Sequence, residues 1–339
     1  MRILHVTECY EGGVSRALDT IARLAPDHEH FLLWEGLADP VPTGLFEETF
    51  KLPKSVLARI SSVNRVAVRT DADIIHAHSS WAGVYARALK PVVPVVYEPH
   101  CFAFDDPDRS SLSRAAYRLA ESVLSRRTNS IIALTPHEEA LAQGLTTRAE
   151  ILRLPNVPTI DVELKAETNF ADFEVVMVGR LVRQKDPEFF ANVASLVHSV
   201  SAATRFTWIG DGDTTYRGIL ERAGVTVTGW VEKKELEDRL RKASIYLHSA
   251  KYEGFPLSVL DAAAADLPII VRDLPCFEGY ELLKVETAEV AAMNVIELVN
   301  NHGRYTALHT NSRKLLEHMN DDSQTIALAQ IYDRLRVLA

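Results

Sequence analysis

The chain repeats one pattern twice along its length. Short apolar runs rich in β-branched residues alternate with stretches whose apolar residues recur every three or four positions. The first kind of run is typical of a buried strand, and the second is typical of a helix packed against it. Such alternation predicts a parallel sheet covered by helices. The series stops at the turn-rich segment Leu154-Pro-Asn-Val-Pro158 and restarts near residue 172, which predicts two doubly wound α/β units in one chain.

The strand candidates define these two units. In the first half they are Arg2–Val6, His30–Trp34, Ile74–His76, Val93–Tyr97, Ser130–Leu134 and Ile151–Leu154. In the second half they are Val175–Val178, Arg205–Ile209, Val225–Thr228, Ile245–His248 and Pro268–Val271. We expect a first domain over residues 1–157, a second over 158–322, and a final helix over 323–339 that can pack on either domain, including back on the first. Because parallel sheets bind ligands beyond the carboxyl ends of their strands, a cleft between the domains is the expected site.

Composition narrows the class of protein. The 339 residues carry 37 Lys and Arg against 46 Asp and Glu, and the net charge of −9 argues against a nucleic-acid partner. Three widely spaced cysteines form neither a disulfide framework nor a zinc motif, which is typical of a reducing compartment. The apolar opening is interrupted too early for a signal peptide, and no apolar run reaches the ~18 residues of a membrane span. We therefore expect a cytoplasmic protein.

A glycine pair follows the first strand. Gly12 and Gly13 precede a helix expected from about Val14. Two glycines let a ligand approach the backbone, and a helix start offers unpaired N–H groups to a phosphate, although a plain tight turn would use the same residues. The G-x-G-x-x-G pattern of dinucleotide-binding enzymes is absent, but Glu35 stands where such enzymes place a ribose-binding acid. A dinucleotide-dependent oxidoreductase therefore stays open as an alternative.

Histidines cluster after two strands of the first half. His76 and His78 are two residues apart, so both side chains point to the same face of a strand. With His100 or Glu98 they could hold a metal ion; the alternative is that His76 is half-buried and hydrogen-bonded while His78 begins a loop. Because no further cluster of ligands accompanies them, we predict no metal site. His100 follows the carboxyl end of a predicted strand and is the better candidate for a functional residue.

Two cations follow the first strand of the second half. That strand ends in Gly179, and Arg180 and Lys185 precede a helix that starts at Pro187. A guanidinium can bridge two phosphate oxygens, while an ammonium acts as a point charge. The two side chains can therefore converge on one diphosphate. The alternative is a pair of solvated surface cations, which is the common state of Lys and Arg.

A later segment combines an acid, a turn and a helix start. Gly254 gives the chain room to turn, and Pro256 suits the first helical position. The free N–H groups of the first turn would then point at an anion. Glu253 and Asp261 flank this helix start and can reach different parts of one ligand. Another strand is followed by the turn Gly210-Asp211-Gly212. This turn either lies against a ligand or has only the structural role of reversing the chain.

In this order, the glycine pair, G-R-L-x-x-x-K, G-D-G and E-G-F-P-x-x-x-x-D resemble the motifs of family 4 retaining glycosyltransferases of GT-B fold. The resemblance covers nearly the whole chain, and the last two motifs with Arg180 and Lys185 are its specific part. The His-Ala-His-Ser-Ser and Val-Tyr-x-x-His stretches look most like bacterial enzymes that build capsular, exopolysaccharide or lipopolysaccharide sugars. The resemblance implies two Rossmann-like domains facing a central cleft, with the nucleotide-sugar donor on the second domain and the acceptor on the first.

The family's residue roles carry over to matching positions. The resemblance implies that Arg180 and Lys185 clamp the diphosphate, that Glu253 holds hydroxyls of the donor sugar, and that His100 lies beside that sugar near the reacting carbon. The other donor-binding residues that we expect are Gly12, Gly13, Gly210, Asp211, Gly254, Phe255, Pro256, Leu257 and Asp261. Two positions depart from the family: Asp261 replaces a glutamate expected to contact ribose, and Asp266 replaces a glycine in a loop taken to be exposed.

The resemblance implies transfer of a hexose from a nucleotide-diphosphate sugar, expected to be a UDP- or GDP-sugar, to a hydroxyl of a glycan or lipid-linked acceptor. Retention of anomeric configuration is also implied by resemblance alone. The reaction expels a nucleoside diphosphate, whose charge Arg180, Lys185 and a helix amino terminus can stabilise without a metal or another cofactor. The alternatives are another sugar-nucleotide enzyme, such as an epimerase, and a non-catalytic sugar-nucleotide-binding protein.

A basic stripe suggests a membrane contact. Lys54, Arg65 and Arg69 share one face of a predicted helix in a stretch without acids, 51–70. The alternative is a helix with a solvated outer face. Docking on anionic lipid would place the first domain at the inner face of the plasma membrane, beside a lipid-linked acceptor.

Overall fold

The computed structural model describes residues 1–36, 44–161, 170 and 172–336. The chain divides into two units, the first formed by residues 1–157 with the segment from Asn320 onward, and the second by residues 158–319. Most of the polar stretch expected to link the domains lies at 162–169 and 171, outside the described residues, as do residues 337–339 of the expected final helix.

One parallel sheet organises the described part of the first unit. Its strands are β1 (Arg2–Thr7), β2 (Glu29–Trp34), β3 (Glu48–Lys51), β4 (Ile74–His78), β5 (Val95–Glu98), β6 (Ser130–Ala133) and β7 (Glu150–Arg153). They lie in the order β3-β2-β1-β4-β5-β6-β7, and neighbouring strands are parallel. The edge strand β3 was not expected, because a largely exposed four-residue strand leaves no apolar run in the sequence.

Helices of the first unit connect these strands. They are α1 (Gly12–Leu24), α2 (Val56–Arg69), α3 (Ser80–Arg87), α4 (Ser111–Leu124) and α5 (Pro136–Gln143). Helix α1 begins at Gly12 rather than near Val14 as expected, so both glycines of the pair belong to its first turn.

A second parallel sheet organises the described part of the second unit. Its strands are β8 (Glu174–Val178), β9 (Arg205–Ile209), β10 (Thr226–Val227), β11 (Ile245–His248), β12 (Ile269–Arg272) and β13 (Leu283–Val285), in the order β10-β9-β8-β11-β12-β13. The helices of this unit are α6 (Pro187–His198), α7 (Thr214–Arg222), α8 (Lys233–Lys242), α9 (Leu257–Ala264), α10 (Ala288–Asn300) and α11 (His302–Arg313). The last helix of the chain is α12 (Asp321–Arg336), which belongs to the first unit. Two parallel sheets with helical connections confirm the predicted doubly wound α/β architecture.

The last helix packs on the first unit. Its buried face, which includes Leu328, Ile331 and Tyr332, joins Ile3 and Ile74 in one apolar cluster. Burying such side chains contributes about 1.5–3 kcal/mol each, which is enough to hold a helix of this length in place. None of the helices in the described ranges is both long and apolar enough to cross a bilayer.

Candidate active site

The second unit brings a cation, an acid and a histidine together at the carboxyl edge of its sheet. Lys185, in the single 3₁₀ turn before α6, forms an ion pair with Oε1 of Glu253. Nε2 of His248, the last residue of β11, lies 3.3 Å from the same oxygen. Nε2 of Gln184 donates to the carbonyl oxygen of Tyr252 at 3.0 Å and lies 3.4 Å from Oε2 of Glu253. Both carboxylate oxygens are thereby oriented.

Charge around Glu253 keeps it ionised. Burial alone would raise the pKa of its carboxyl, but the ammonium of Lys185, joined by His248, lowers that pKa to about 2. The pKa of His248 is lowered, chiefly because the ring is buried. At neutral pH the site therefore holds an ammonium against a carboxylate, with a neutral imidazole as their neighbour.

The glycine after β8 makes room for the lysine. A Cβ at Gly179 would stand 3.4–3.5 Å from Cγ, Cδ and Cε of Lys185, so the lysine stem lies along this glycine. The carbonyl oxygen of Lys185 accepts from the hydroxyl of Ser249 at 2.6 Å. Arg180 follows Gly179 and is half-buried beside the same strand end. The predicted clamp residues thus follow one strand, and the head group of Lys185 reaches Glu253.

The G-D-G turn is required by backbone geometry. Gly210 has a φ of +143°, and a Cβ there would stand 2.1 Å from the carbonyl oxygen of Gly179. Gly212 has a φ of +153°, and a Cβ there would stand 2.6 Å from the carbonyl oxygen of Leu181. The carboxylate of Asp211 accepts from Arg217 at 2.8 Å, and this bond together with that from the amide of Gly212 lowers the pKa of Asp211. Asp211 therefore stabilises the turn through these hydrogen bonds. Its contact with the donor stays a prediction.

The helix start after Glu253 lies one residue later than expected. Helix α9 begins at Leu257, and Pro256 is its N-cap rather than its first helical residue, since its ψ of 124° is extended. The segment from Gly254 to Leu257 is buried, and the Phe255 ring packs edge-on against Phe277 with centroids 5.6 Å apart. This packing fixes the position of the amide groups at the start of α9.

The two departures from the family pattern have structural explanations. Asp261 is fully buried, and Thr159 donates both its backbone N–H (2.7 Å) and its hydroxyl (3.1 Å) to Oδ1. Its predicted contact with ribose stays a prediction. Asp266 has a φ of +63°, a backbone conformation that favours the glycine expected here from the family pattern. It is not exposed as expected: its side chain is 14% exposed and pairs with His309 at 2.9 Å.

The glycine pair of the first unit faces open space. Gly12 has a φ of +57°, a backbone conformation that favours glycine, and a Cβ at either Gly12 or Gly13 would meet no atom of the described residues within 4 Å. Packing therefore does not demand glycine at position 13. Nearby, Glu8 accepts from the hydroxyl of Ser79 and from the amide of Ala82, which ties the end of β1 to the start of α3.

His100 lies where β5 ends, in a strained conformation. Its φ is +58°, which is uncommon for a residue with a side chain and is concentrated at functional sites. Nδ1 of His100 lies 3.4 Å from Oε1 of the buried Glu98, and Oε2 of Glu98 lies 3.2 Å from His76 and 3.4 Å from His78. His78 is the buried last residue of β4, not the start of a loop as the alternative interpretation had it.

Two overlapping sets of ligands could hold a metal ion. Atoms of His5, His76 and His78 lie within 4.8 Å of one another, as do atoms of His78, Glu98 and His100. Ring-to-ring hydrogen bonds already join His5 to His78 and His78 to His100. The predicted absence of a metal site stays a prediction.

Sequence reasoning missed several residues of both clusters. His248 and Gln184 were not singled out, although the carboxyl end of a strand is where ligands bind and His248 stands at such an end. His5 and His30 were also missed, because each is a single histidine in an otherwise apolar strand.

Comparisons with known proteins identify the family. Residues 16–157 match the model of the glycosyl transferase 4-like domain, and residues 172–301 match the model of glycosyl transferases group 1. An uncharacterized 41.2 kDa protein in the cps region of Klebsiella pneumoniae is 26% identical over 326 residues, which cover 89% of this chain and 90% of that protein. The UDP-Gal:alpha-D-GlcNAc-diphosphoundecaprenol alpha-1,3-galactosyltransferase of Escherichia coli is 27% identical over 229 residues, which cover 60% of this chain and 58% of that enzyme.

Solved structures agree on the fold. Anabaena HepE, solved in complex with UDP-glucose, superposes with a TM-score of 0.80 at 14% identity, covering 98% of this chain and all of that one. Both units are thus matched by glycosyltransferase models, and the whole fold is matched by a GT-B structure. The chain belongs to the family 4 glycosyltransferases of GT-B fold.

Proposed function

We propose that this glycosyltransferase moves a hexose from a UDP- or GDP-sugar to a hydroxyl of a glycan or lipid-linked acceptor in the synthesis of cell-surface polysaccharide. The observation that carries the proposal is the pairing of Lys185 with Glu253 beside Gly179 and the start of α9. A UDP-sugar is the favoured donor, because the Escherichia coli relative is named for UDP-Gal and HepE was solved with UDP-glucose.

The cluster suits a reaction that expels a diphosphate. When the bond between sugar and phosphate breaks, negative charge develops on the leaving oxygen. Lys185 and Arg180 supply positive charge for it, and the amide groups at the start of α9 add to this stabilisation. Glu253, ionised and held by His248 and Gln184, can accept hydrogen bonds from hydroxyls of the sugar.

We further propose retention of anomeric configuration by same-face attack, without a metal or another cofactor. The acceptor hydroxyl attacks the anomeric carbon on the face that the diphosphate leaves, and its proton passes to a leaving phosphate oxygen. No covalent enzyme intermediate is then needed. The cations named above neutralise the leaving group, which is the task a divalent ion performs elsewhere.

The test is a panel of UDP-, GDP-, ADP- and CDP-sugars. Binding at 100 times the dissociation constant stabilises the protein by about 2.7 kcal/mol, so the true donor raises the melting temperature. The selected donor is then incubated with lipid-linked and free glycan acceptors, and the anomeric configuration of the product is read by proton NMR. Binding without transfer supports the non-catalytic alternative, an altered nucleotide sugar supports the epimerase, and an inverted product contradicts retention.

A membrane contact belongs to this proposal, and α4 offers the stronger surface for it. In the stripe expected on α2, Arg69 is engaged with Glu48 and lies over the Phe50 ring at 4.7 Å. Helix α4 instead turns its polar side inward. Its buried residue is Glu121, which pairs with the buried Arg87 at 2.9 Å and accepts from the Tyr97 hydroxyl at 2.9 Å.

The outer side of α4 is apolar. Leu112, Leu119 and Val123 are 80%, 66% and 53% exposed, and at 100° per residue they lie within about 40° of one another. Residues 109–127 carry five arginines, and Glu121 is their one acid. Exposed apolar side chains among arginines fit an anionic bilayer, in which the apolar groups enter the interface and each cation adds about 1 kcal/mol.

Vesicle co-sedimentation at low salt tests this surface. We expect the protein to sediment with vesicles of phosphatidylcholine and phosphatidylglycerol and to lose this binding in Leu112→Ser/Leu119→Ser. Leu57→Ser, at an 81% exposed leucine of α2, is the matched control and should bind as the unmodified chain does. Replacing Lys54, Arg65 and Arg69 with glutamine tests the α2 stripe. Equal binding to neutral vesicles, or full binding by the α4 variant, contradicts the proposed contact.

A further inference from the structure

Four side chains of the second unit contact one another in series beside the candidate active site. Tyr246 and His248 are two residues apart on β11, so they share one face of the sheet, and the Tyr246 hydroxyl lies 3.2 Å from Nδ1 of His248. The same hydroxyl lies 2.8 Å from Oγ of Ser258, in the first turn of α9. Nε2 of His248 lies 3.3 Å from Oε1 of Glu253. We call these four residues the β11 network.

Glu253 fixes the tautomer of His248. Its carboxylate is ionised and can only accept hydrogen bonds. The imidazole is neutral at neutral pH, because burial lowers the pKa of His248. A bare Nε2 would set its lone pair against the carboxylate in a buried site, so the single hydrogen of the ring belongs on Nε2. Nδ1 is then an acceptor.

The remaining links follow from this tautomer. Burial raises the pKa of Tyr246, so its phenol keeps its hydrogen and donates it to Nδ1 of His248. Sδ of Met177, 3.5 Å from the hydroxyl, is only a weak acceptor. Because the phenol has one hydrogen, the hydroxyl of Ser258 supplies the hydrogen of the link at 2.8 Å. Every hydrogen of the β11 network therefore points towards Glu253.

The two oxygens of Glu253 have different surroundings. Oε1 accepts from the ammonium of Lys185 and faces Nε2 of His248. Oε2 is contacted more weakly, by Nε2 of Gln184 at 3.4 Å. Oε1 is therefore the oxygen that the protein holds, and Oε2 is the better placed to accept from hydroxyls of a bound sugar.

Ring packing limits rotation of the imidazole. The rings of Tyr246 and His248 are stacked, with centroids 6.0 Å apart and planes at 22°. Phe277 packs edge-on against His248, also at 6.0 Å. The imidazole cannot turn without losing its contact with Tyr246 or with Glu253. A rigid ring thus stands between the first turn of α9 and the carboxylate.

We propose that Ser258, Tyr246 and His248 are positioning residues that hold the carboxylate of Glu253 with Oε2 turned to the donor sugar. The inference rests on the proposed function, in which Glu253 binds hydroxyls of that sugar. Tyr246 and His248 act through Glu253 and need not touch the donor. Their loss should therefore weaken recognition of the sugar and leave recognition of the diphosphate intact.

Binding of the donor and of its diphosphate separates these two effects. The ligands compared are the nucleotide sugar selected in the donor panel and its nucleoside diphosphate, which for a UDP-sugar are UDP-galactose or UDP-glucose and UDP. In isothermal titration calorimetry, His248→Phe should weaken binding of the nucleotide sugar about tenfold, because Glu253 loses the N–H that holds Oε1. Tyr246→Phe should weaken it about threefold, through loss of the hydrogen bond to Nδ1. Binding of the diphosphate should stay within about twofold in both variants.

Matched variants distinguish positioning from support of the fold. His248→Gln keeps an N–H near the position of Nε2, so it should recover most of the binding lost in His248→Phe. Tyr305→Phe removes another buried hydroxyl of the second unit, which donates to the carbonyl oxygen of Ser244 at 2.9 Å, and should bind both ligands as the unmodified chain does. If His248→Phe does not fold, Tyr246→Phe measured against Tyr305→Phe supplies the same comparison.

Nitrogen-15 NMR of His248 tests the β11 network without any ligand, with His248→Gln to assign the signals. In the unmodified protein at neutral pH we expect a hydrogen on Nε2 and a hydrogen-bonded, bare Nδ1. The Nδ1 signal should move towards that of a free imine nitrogen in Tyr246→Phe and stay unchanged in Tyr305→Phe.

The outcomes separate this inference from the proposed function. A hydrogen on Nδ1 of His248 overturns the inference. So does equal weakening of nucleotide sugar and diphosphate, or unchanged binding of the nucleotide sugar in His248→Phe and Tyr246→Phe. If the unmodified protein binds no nucleotide sugar, the proposed function fails, while the His248 spectrum still decides whether the β11 network holds the ring.

Discussion

Lys185 and Glu253 are 68 residues apart in sequence and form an ion pair at the carboxyl edge of the second sheet. Lys185 has two roles: it neutralises a buried carboxylate, and it is proposed to bind the diphosphate of the donor. Mutation can separate the contribution to stability from the contribution to transfer.

Lys185→Ala should weaken both stability and transfer. Removing one partner of a buried pair costs about 3–5 kcal/mol, and losing a charged contact to phosphate costs about 1.5–3 kcal/mol, or roughly 10- to 100-fold in kcat/KM. The double variant Lys185→Ala/Glu253→Gln should recover stability, measured by urea unfolding, without recovering transfer. Arg183→Ala, at an exposed arginine of the same turn, is the control. Unchanged turnover in Lys185→Ala at subsaturating donor would contradict the diphosphate clamp.

Transfer should survive removal of divalent ions. The proposed leaving-group charge is met by Arg180, Lys185 and the start of α9, so neither donor binding nor turnover needs magnesium or manganese. The measurement compares initial rates after treatment with EDTA, with and without added Mg²⁺. Loss of activity that Mg²⁺ restores would show that the metal-free mechanism is wrong.

The first unit should lose stability on mild acidification. The pKa values of His30 and His78 are lowered from 6.5 to about 4 and about 3 by burial, and that of His5 is lowered in the same direction. Below about pH 6.5 these three histidines therefore bind protons in the unfolded chain but not in the folded chain. The free energy of unfolding should fall as pH drops from about 6.5 towards 4, with a slope of up to three protons. Urea unfolding at a series of pH values measures this slope, and a flat profile over pH 5–7 contradicts it.

Glu138 should have the opposite dependence on pH. Burial, and to a lesser degree Glu98 and Asp105, raises the pKa of its carboxyl to about 8 despite a hydrogen bond from the amide of Leu134. The folded chain thus holds a proton that the unfolded chain releases above about pH 4.5. This stabilising contribution is lost as pH rises from about 4.5 to 8.

Glu138→Gln should remove that loss, because the amide is neutral at every pH. We expect the variant to exceed the unmodified chain in melting temperature at pH 8.5 and to approach it at pH 4.5. Glu139→Gln, at the half-buried neighbour that contacts Arg153 at 3.5 Å, is the matched control. Parallel melting curves for Glu138→Gln and the unmodified chain across this range would rule out the raised pKa.

Local pattern was sufficient for much of the fold. Buried strands such as β1 and β8 have continuous apolar runs, so the sequence predicts them within about one residue. The edge strand β3 has no such run and could not be predicted. Pro256 shows the limit at a boundary, since proline suits both the first helical position and the cap before it, and its ψ decides between them.

The sequence likewise predicted some residues of the candidate sites but not the residues that contact them. Spacing after strand ends indicated Lys185, Glu253 and His100, because that position in a parallel sheet faces ligand. The partners of these residues could not be inferred, since His248 meets Glu253, and His78 meets His100, only in the folded sheets. His5 and His78, for example, are separated by 73 residues and meet because β1 and β4 are neighbours.

The position of α12 also governs the order in which the protein can be completed during synthesis. The second unit, residues 158–319, is inserted between the main body of the first unit and its last helix. At about 5–20 residues per second, a ribosome needs roughly 10–30 s to make this insertion. Throughout that time the apolar surface around Ile3 and Ile74 lacks the cover that Leu328 and Tyr332 later provide. During this interval the first unit of the nascent chain is incomplete and exposes an apolar surface that favours aggregation. We therefore expect chaperone binding to matter most at this stage of synthesis.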